Sequence, residues 1–243
     1  NILVINSGSS SIKFQLIQMP ETRVLASGVV ERIGIENGSI SYKTETADFS
    51  EKVDFKDHAE GLQKVANLLM SAEIGVIKNA AEVDAVGHRV VHGGKQFTKT
   101  IKVNDEVKAN IKRLFSLAPL HNPANLTGIE VAEKLFEEAP QVCVFDTAFF
   151  ESVPQKAYQY AIPQHLMEES RIRAYGFHGT SHKYVSKKAL NHLDDPYAKI
   201  ITIHLGNGCS MTAVHNGKSI DHSMGFSPVN GLIMGTIALK TCR

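Results

Sequence analysis

The feature that most restricts the fold is the way the chain opens. Ile2–Ile5 is a short apolar run, Asn6-Ser7-Gly8-Ser9-Ser10-Ser11 is small and polar, and Ile12-Lys13-Phe14-Gln15-Leu16-Ile17 alternates apolar with polar. A period of two is the pattern of a half-buried strand, so the small residues form a turn between two strands. A Walker A loop needs a helix after its glycines, and GxxxxGK[ST] is absent. A further strand over Val24–Val30 and a hairpin signal at Asn37-Gly38 extend this start. The chain therefore begins as an antiparallel meander rather than the βαβ unit of a dinucleotide-binding fold.

Beyond the meander, the spacing of Leu62, Val65, Leu68 and Leu69 predicts a helix over 58–70. Strand character returns at Val83–Val91. Helices follow over 104–117, capped by Asn104 or Asp105, and from Pro123 to about Glu138. Gln141–Phe145 is a compact strand, and the stretch around Pro154 and Pro163 reads as irregular with short helical pieces. A helix over 181–193 precedes strands at 199–205 and 210–214, and Asn216-Gly217 turns the chain toward Lys218-Ser219-Ile220. Ile200–Leu205 followed by Gly206-Asn207-Gly208 repeats the opening plan of strand, glycine turn, strand. Two such hairpins predict two related lobes around a cleft, with the boundary near 147–155.

Composition narrows the function classes. The formal charge of +1 supplies no global field that would draw nucleic acid or an anionic membrane, so an anionic ligand must be held locally. No run approaches the roughly 18 apolar residues of a membrane helix, and the chain opens on a strand rather than a signal peptide. Cys143, Cys209 and Cys242 are odd in number and far apart, which fits neither a disulfide framework nor a zinc knuckle. Cys143 in the apolar run 141–145 reads as a buried thiol, and a reducing cytoplasm suits the set.

Several motifs could carry chemistry. The 6–13 turn exposes backbone N–H groups, hydroxyls and Lys13 to an anion, though a plain polar hairpin would look the same. In Gly87-His88-Arg89-Val90-Val91-His92-Gly93-Gly94, an arginine suited to forked recognition of carboxylate or phosphate ends a strand. Alternation would put Val91 on its face; an edge arginine paired with a surface carboxylate is the bland alternative. Ala118-Pro119-Leu120-His121-Asn122-Pro123 stiffens the backbone around a histidine, or is a loop cap. Asp146 follows a strand, where carboxylates in α/β proteins often work, or it faces solvent. Glycines flank His178 ahead of a helix, and His178 with His182 is spaced i, i+4; without HExxH, zinc is not expected there. His204-Leu205-Gly206-Asn207-Gly208 is a second candidate phosphate turn. Together these suggest phosphoryl transfer.

The ordered set of Asn6–Lys13, Gly87–Gly94, Ala118–Pro123, Phe145–Phe149, Arg173–His182 and His204–Gly208 resembles the acetate kinase family, with the likeness running from residue 1 to Thr236. The resemblance implies the two-lobed actin-like, ribonuclease H-like ATPase fold, an α/β class. The first lobe, 1–150, would be nearly complete and the second, 151–243, partial. It implies ATP/ADP and Mg2+ as cofactors, acetate and acetyl phosphate as partners, no nucleic acid or membrane, and a homodimer. By the same resemblance Asn6 lies near the metal, and Ser10 and Lys13 face phosphate. Arg89 binds the carboxylate or the moving phosphoryl group, Asp146 is an essential carboxylate beside it, and His178 meets the transition state with His121 nearby. His204 and Gly206-Asn207-Gly208 face the ATP phosphates, and Val91, Leu120, Phe177 and Pro228 enclose the methyl group.

A carboxylic acid is already ionised at neutral pH, so the nucleophile needs neutralised charge more than a base, and Asp146 is expected to organise Arg89 or the metal. Two departures stand out. The family carries histidine where Phe150 stands, and arginine directly after Met-Gly-Thr, where Ile237 stands. Residues 237–243 do not continue the pattern, so a truncated or aberrantly ended chain with poor activity and exposed apolar surface is expected. Propionate or butyrate phosphorylation, or ATP and acyl phosphate binding without catalysis, are the alternatives.

Overall fold

The computed structural model describes residues 1–235. Thr236 and the 237–243 segment, on which the expectation of a missing arginine rests, lie outside the described residues. The chain divides into two compact units: Asn1–Val91 with Thr100–Val144, and His92–Lys99 with the chain from Phe145 onward.

The first unit is built on a mixed eight-stranded sheet. Its strands are β1 (Ile2–Ser7), β2 (Ser11–Gln18), β3 (Arg23–Glu31), β4 (Ser39–Thr44), β5 (Asp48–Lys52), β6 (Ala85–Val90), β7 (Ile101–Lys102) and β8 (Gln141–Phe145), in the order β5-β4-β3-β2-β1-β6-β8-β7. The first five pair antiparallel with their chain neighbours, which is the expected meander, and β6 adds parallel to the free side of β1. Alternation decides the faces. Leu3, Ile5, Ile12, Phe14 and Leu16 point to one side and are buried. There they meet Leu62, Val65 and Leu69 of α1 (His58–Leu69) and Ala132 of α3 (Asn122–Leu135) in one apolar core. Helix α2 (Asp105–Arg113) packs on α3. Asp57 caps α1 by accepting from the N–H groups of Ala59 and Glu60.

Local chemistry corrects three details. The β3–β4 connection is not a two-residue hairpin at Asn37-Gly38: it spans 32–38, with Arg32, Gly34 and Asn37 all at positive φ. Helix α2 stops at Arg113 instead of 117, although Asn104 caps it as expected by accepting from the Val107 N–H. Strand β6 ends at Val90, so strand alternation does not reach Val91: Val90 and Val91 are both buried while Arg89 is half-buried.

In the second unit a 3-10 turn (Ala148–Ser152), α4 (Gln155–Tyr158) and α5 (Gln164–Glu169) lead to α6 (Gly179–Leu193), then to β9 (Lys199–Leu205), β10 (Cys209–His215) and β11 (Lys218–His222). These three strands form an antiparallel sheet in the order β11-β10-β9. Asn216 and Gly217 both have positive φ, the requirement of a tight two-residue hairpin, as the dipeptide predicts. Ile201, Ile203 and Leu205 leave an apolar stripe on β9, exposed by 66%, 53% and 76%. Among the described residues no helix is long and apolar enough to cross a membrane.

Candidate functional site

The predicted site residues fall into two groups, one in each unit. In the first unit, β1 and β2 pair with Asn6 opposite Lys13, and β1 and β6 pair with Ile5 beside His88. Since Leu3, Ile5 and Ser7 face the helices, Asn6 faces the opposite, open side of the sheet. Arg89 reaches it there: its Nη1 donates to Asn6 Oδ1 at 3.1 Å. Asn6 and Lys13 line a shallow groove of about 550 Å3 on that side with Gln15, Ser27, Ser41 and Lys43. On the helix side, His88 is buried with its Nε2 2.7 Å from Gln141 Oε1, and burial pushes its pKa down.

A residue that the motifs do not single out holds this arrangement. Asn125 of α3 donates from Nδ2 to the Ser7 carbonyl at 2.6 Å and accepts from the Val91 N–H at 3.0 Å. It thereby ties the end of β1 to the residue after β6. Gly128, one turn on, allows the approach, because a Cβ there would lie 2.3 Å from Ser7 Oγ. Only a pairing of strand ends could have revealed Asn125, and spacing along the chain does not show it.

The 8–10 turn is partly self-satisfied. The Gly8 N–H donates to the Ser11 carbonyl at 2.7 Å, and His58 Nε2 sits 2.7 Å from the Gly8 carbonyl. A phosphate cradle here would use the other amides, with exposed Ser10 at the tip. His121 precedes α3 as its cap residue and is half-buried; Leu120 beside it is 72% exposed. Val91 is buried.

In the second unit Asp146 is buried and fixed against the start of α6. Its Oδ1 accepts from Thr180 Oγ1 at 3.0 Å, and its main-chain carbonyl accepts from the Gly179 N–H at 3.0 Å. A carboxylate held against the N-terminal turn of a 15-residue helix is also favoured by the helix dipole. His178 occupies the position before that helix in the left-handed region, at φ 59°. Its ring stacks on that of His204 at 4.1 Å, and its Nδ1 lies 2.9 Å from Ser210 Oγ. His204 Nδ1 lies 3.0 Å from Ser181 Oγ on α6. The Gly206 N–H closes its own turn on the Gly208 carbonyl at 3.1 Å. A Cβ on Gly208 would stand 3.0 Å from His178 Cε1 and Nε2, so His178, His204 and Gly206-Asn207-Gly208 form one cluster.

His182 is not turned toward a metal: its Nδ1 is 2.7 Å from Thr202 Oγ1 and its Nε2 2.7 Å from Ser210 Oγ. Among the described residues no three His, Cys, Asp or Glu side chains gather as a metal cage would require. Phe177 is buried with its ring 5.8 Å from His92, and Pro228 is half-buried in the segment that Tyr175 N–H anchors through the Gly225 carbonyl at 3.1 Å. Phe150, where a histidine is expected, is buried beside the His222 ring at 4.8 Å and under Gly176.

Burial also sets a pH dependence. Desolvation lowers His182 to about 4, with the neighbouring His204 adding to it against an opposing pull from Asp146. Desolvation, then the Arg173 charge, brings His92 to about 4. Both folded values lie below the usual 6.5, so the unfolded chain binds more protons between them, and stability falls as pH drops from 6.5 toward 4. Each group is worth on the order of 1–3 kcal/mol over that window. The urea midpoint of the transition that reports on the second unit is expected to fall steadily between pH 7 and 4.5. A midpoint flat across that range would mean that these histidines are not buried neutral.

Residues 1–239 match the acetokinase family. An acetate kinase of Flavobacterium johnsoniae is 60% identical over 237 residues, covering 98% of this chain and 60% of the relative. The crystal structure of Porphyromonas gingivalis acetate kinase superposes with a TM-score of 0.90 at 43% identity, covering 96% of this chain and 59% of that one. A propionate kinase from Francisella tularensis gives a TM-score of 0.90 at 44% identity, with the same two coverages. The chain thus spans about three fifths of the length of these relatives, and its mixed sheet with flanking helices is the α/β architecture of the first lobe of such a kinase. The chain belongs to the acetokinase family.

Proposed function

We propose that this chain is part of an acetate kinase, transferring the γ-phosphoryl group of ATP reversibly to acetate to give acetyl phosphate and ADP. The observation that supports this best is the hydrogen bond from Arg89 to Asn6 on the open side of the sheet, beside Lys13. It holds a forked cation ready for a small anion before any ligand arrives. Asn6 Oδ1 has a second lone pair, so it can accept from Arg89 and still offer a neutral oxygen to Mg2+ directly or through water. Magnesium takes few protein oxygens and keeps the rest of its shell for phosphate and water. When bound it would neutralise phosphate charge.

In this reading Arg89 holds the acetate carboxylate or the moving phosphoryl oxygens. Asp146, fixed by Thr180 and Gly179, serves as an organising carboxylate instead of a base, because acetate arrives ionised. His178 meets charge developing on the phosphoryl group, with His121 assisting. Ser10, Lys13, His204 and the Gly206-Asn207-Gly208 turn receive the nucleotide phosphates, and Val91, Leu120, Phe177 and Pro228 limit the acid to a short chain. Residues 1–150 and 151–243 act as the two lobes, and the protein works as a cytoplasmic homodimer. The likeness to a propionate kinase, as close in shape as that to an acetate kinase, favours propionate as the second substrate.

The test compares acyl hydroxamate formed from acetate, propionate and butyrate with ATP and magnesium, using the chain and a form extended to the length of its relatives. The highest kcat/KM is expected for acetate, then propionate, with little for butyrate. Equal or greater efficiency with butyrate would overturn the assignment of the pocket residues.

A further inference from the structure

A directed chain of hydrogen bonds runs beneath His178. Thr202 Oγ1 donates to the Thr212 carbonyl at 3.4 Å, so its lone pair is left to accept from His182 Nδ1 at 2.7 Å. With its one proton on Nδ1, a neutral His182 can only accept at Nε2, where Ser210 Oγ stands at 2.7 Å. Ser210 has a single proton, and it is spent on His182. Toward His178 Nδ1, 2.9 Å away, Ser210 can only accept. Thr202, His182 and Ser210 are all buried, at 3%, 1% and 1% exposure, so bulk water does not relax the order. Burial of His182 keeps it neutral near pH 7, as the ordering requires.

We propose that His182, acting through Ser210, is a positioning residue that fixes His178 as the Nδ1–H tautomer. In the neutral ring the Nε2 edge, beside Gly208, is then the unprotonated one. This deepens the proposed function and rests on it for the role of His178. A neutral ring of this tautomer turns a lone pair, not a donor, toward the glycine turn. A phosphoryl oxygen arriving there is repelled unless Nε2 gains a proton from solvent, giving an imidazolium that donates to it.

The test needs no catalysis, so it fails or succeeds separately from the kinase reading. The 243-residue chain is labelled with 15N-histidine, and the ring nitrogens are recorded by long-range 1H–15N correlation at pH 7.5, with His178→Gln identifying the His178 signals. His178 is expected to show a protonated Nδ1 and an unprotonated Nε2, the reverse of the tautomer preferred by free histidine. Ser210→Ala should return it to Nε2–H, and Ser210→Thr, which keeps the hydroxyl, should restore Nδ1–H. An Nε2–H tautomer in the wild-type chain overturns the proposal, as does an Nδ1–H tautomer that survives Ser210→Ala. If Ser210→Ala does not fold, the wild-type spectrum alone decides.

Discussion

Replacing Arg89 by alanine should lower kcat for acetyl phosphate formation by about 10²–10³-fold while leaving the fold near native. Arg89 stands at the end of β6 on the open side of the sheet and is half-buried, so its removal opens no core cavity. What is lost is a guanidinium already aimed by Asn6. Transfer between two anions depends on positive charge fixed in advance, and a flexible lysine does not reproduce the forked geometry. Arg89→Lys is therefore expected to recover little. The comparison is made in the form extended to the length of the relatives, with circular dichroism as the control for folding. An Arg89→Ala enzyme retaining more than about a tenth of wild-type turnover would remove Arg89 from the centre of the mechanism.

A large stability effect is expected at Gly179. A Cβ there would lie 2.1 Å from the Asp146 carbonyl oxygen, a contact no side chain can make, and a tight 3.1 Å from its carbonyl carbon. Both neighbours are backbone, and the Gly179 N–H donates to that same oxygen at 3.0 Å, so neither partner can retreat without parting α6 from the Asp146 segment. Gly179→Ala should cost about 3 kcal/mol or more, at the severe end of overpacking. Gly87→Ala is the control: its Cβ would meet nothing within 4 Å, and a change within about 0.5 kcal/mol is expected. Urea unfolding of both variants measures this. Equal midpoints for the two would show that the Gly179 contact is not tight.

Much of this arrangement is legible along the chain, because local rules govern it. The apolar run 2–5 and the alternation in 12–17 give the opening hairpin, Asn104 gives the cap of α2, and Asn216-Gly217 gives the last turn. The burial of Cys143 in an apolar strand follows in the same way, and desolvation raises its thiol to about 12. What was not legible depends on partners distant in sequence. The short strands β5 and β7 exist through their pairing with β4 and β8, not through an apolar signal of their own. Val91 leaves the face of Arg89 because β6 ends one residue earlier, where Asn125 takes its N–H.

The site shows the same division. Motifs bring forward Asn6, Arg89, Asp146, His178 and His204, whose residue types declare their chemistry. They pass over Ser210, Thr202, Asn125 and Thr180, which are ordinary residues until the fold sets a hydroxyl or amide against a ring or a strand end. The i, i+4 spacing of His178 and His182 invites a metal reading that the absence of HExxH argues against. What the spacing does not show is that both ring nitrogens of His182 meet hydroxyls, one on β9 and one on β10.

The proposed reaction is attack of a carboxylate oxygen of acetate on the γ-phosphorus of ATP. Acetate labelled with 18O in both oxygens is incubated with ATP, magnesium and the extended form, and the product is cleaved with hydroxylamine, which attacks the acyl carbon and expels phosphate with the bridging oxygen. Mass spectrometry of that phosphate should find one 18O per molecule, in an amount equal to the ADP formed. Unlabelled phosphate, or ADP released without any acyl hydroxamate, would contradict direct transfer to acetate.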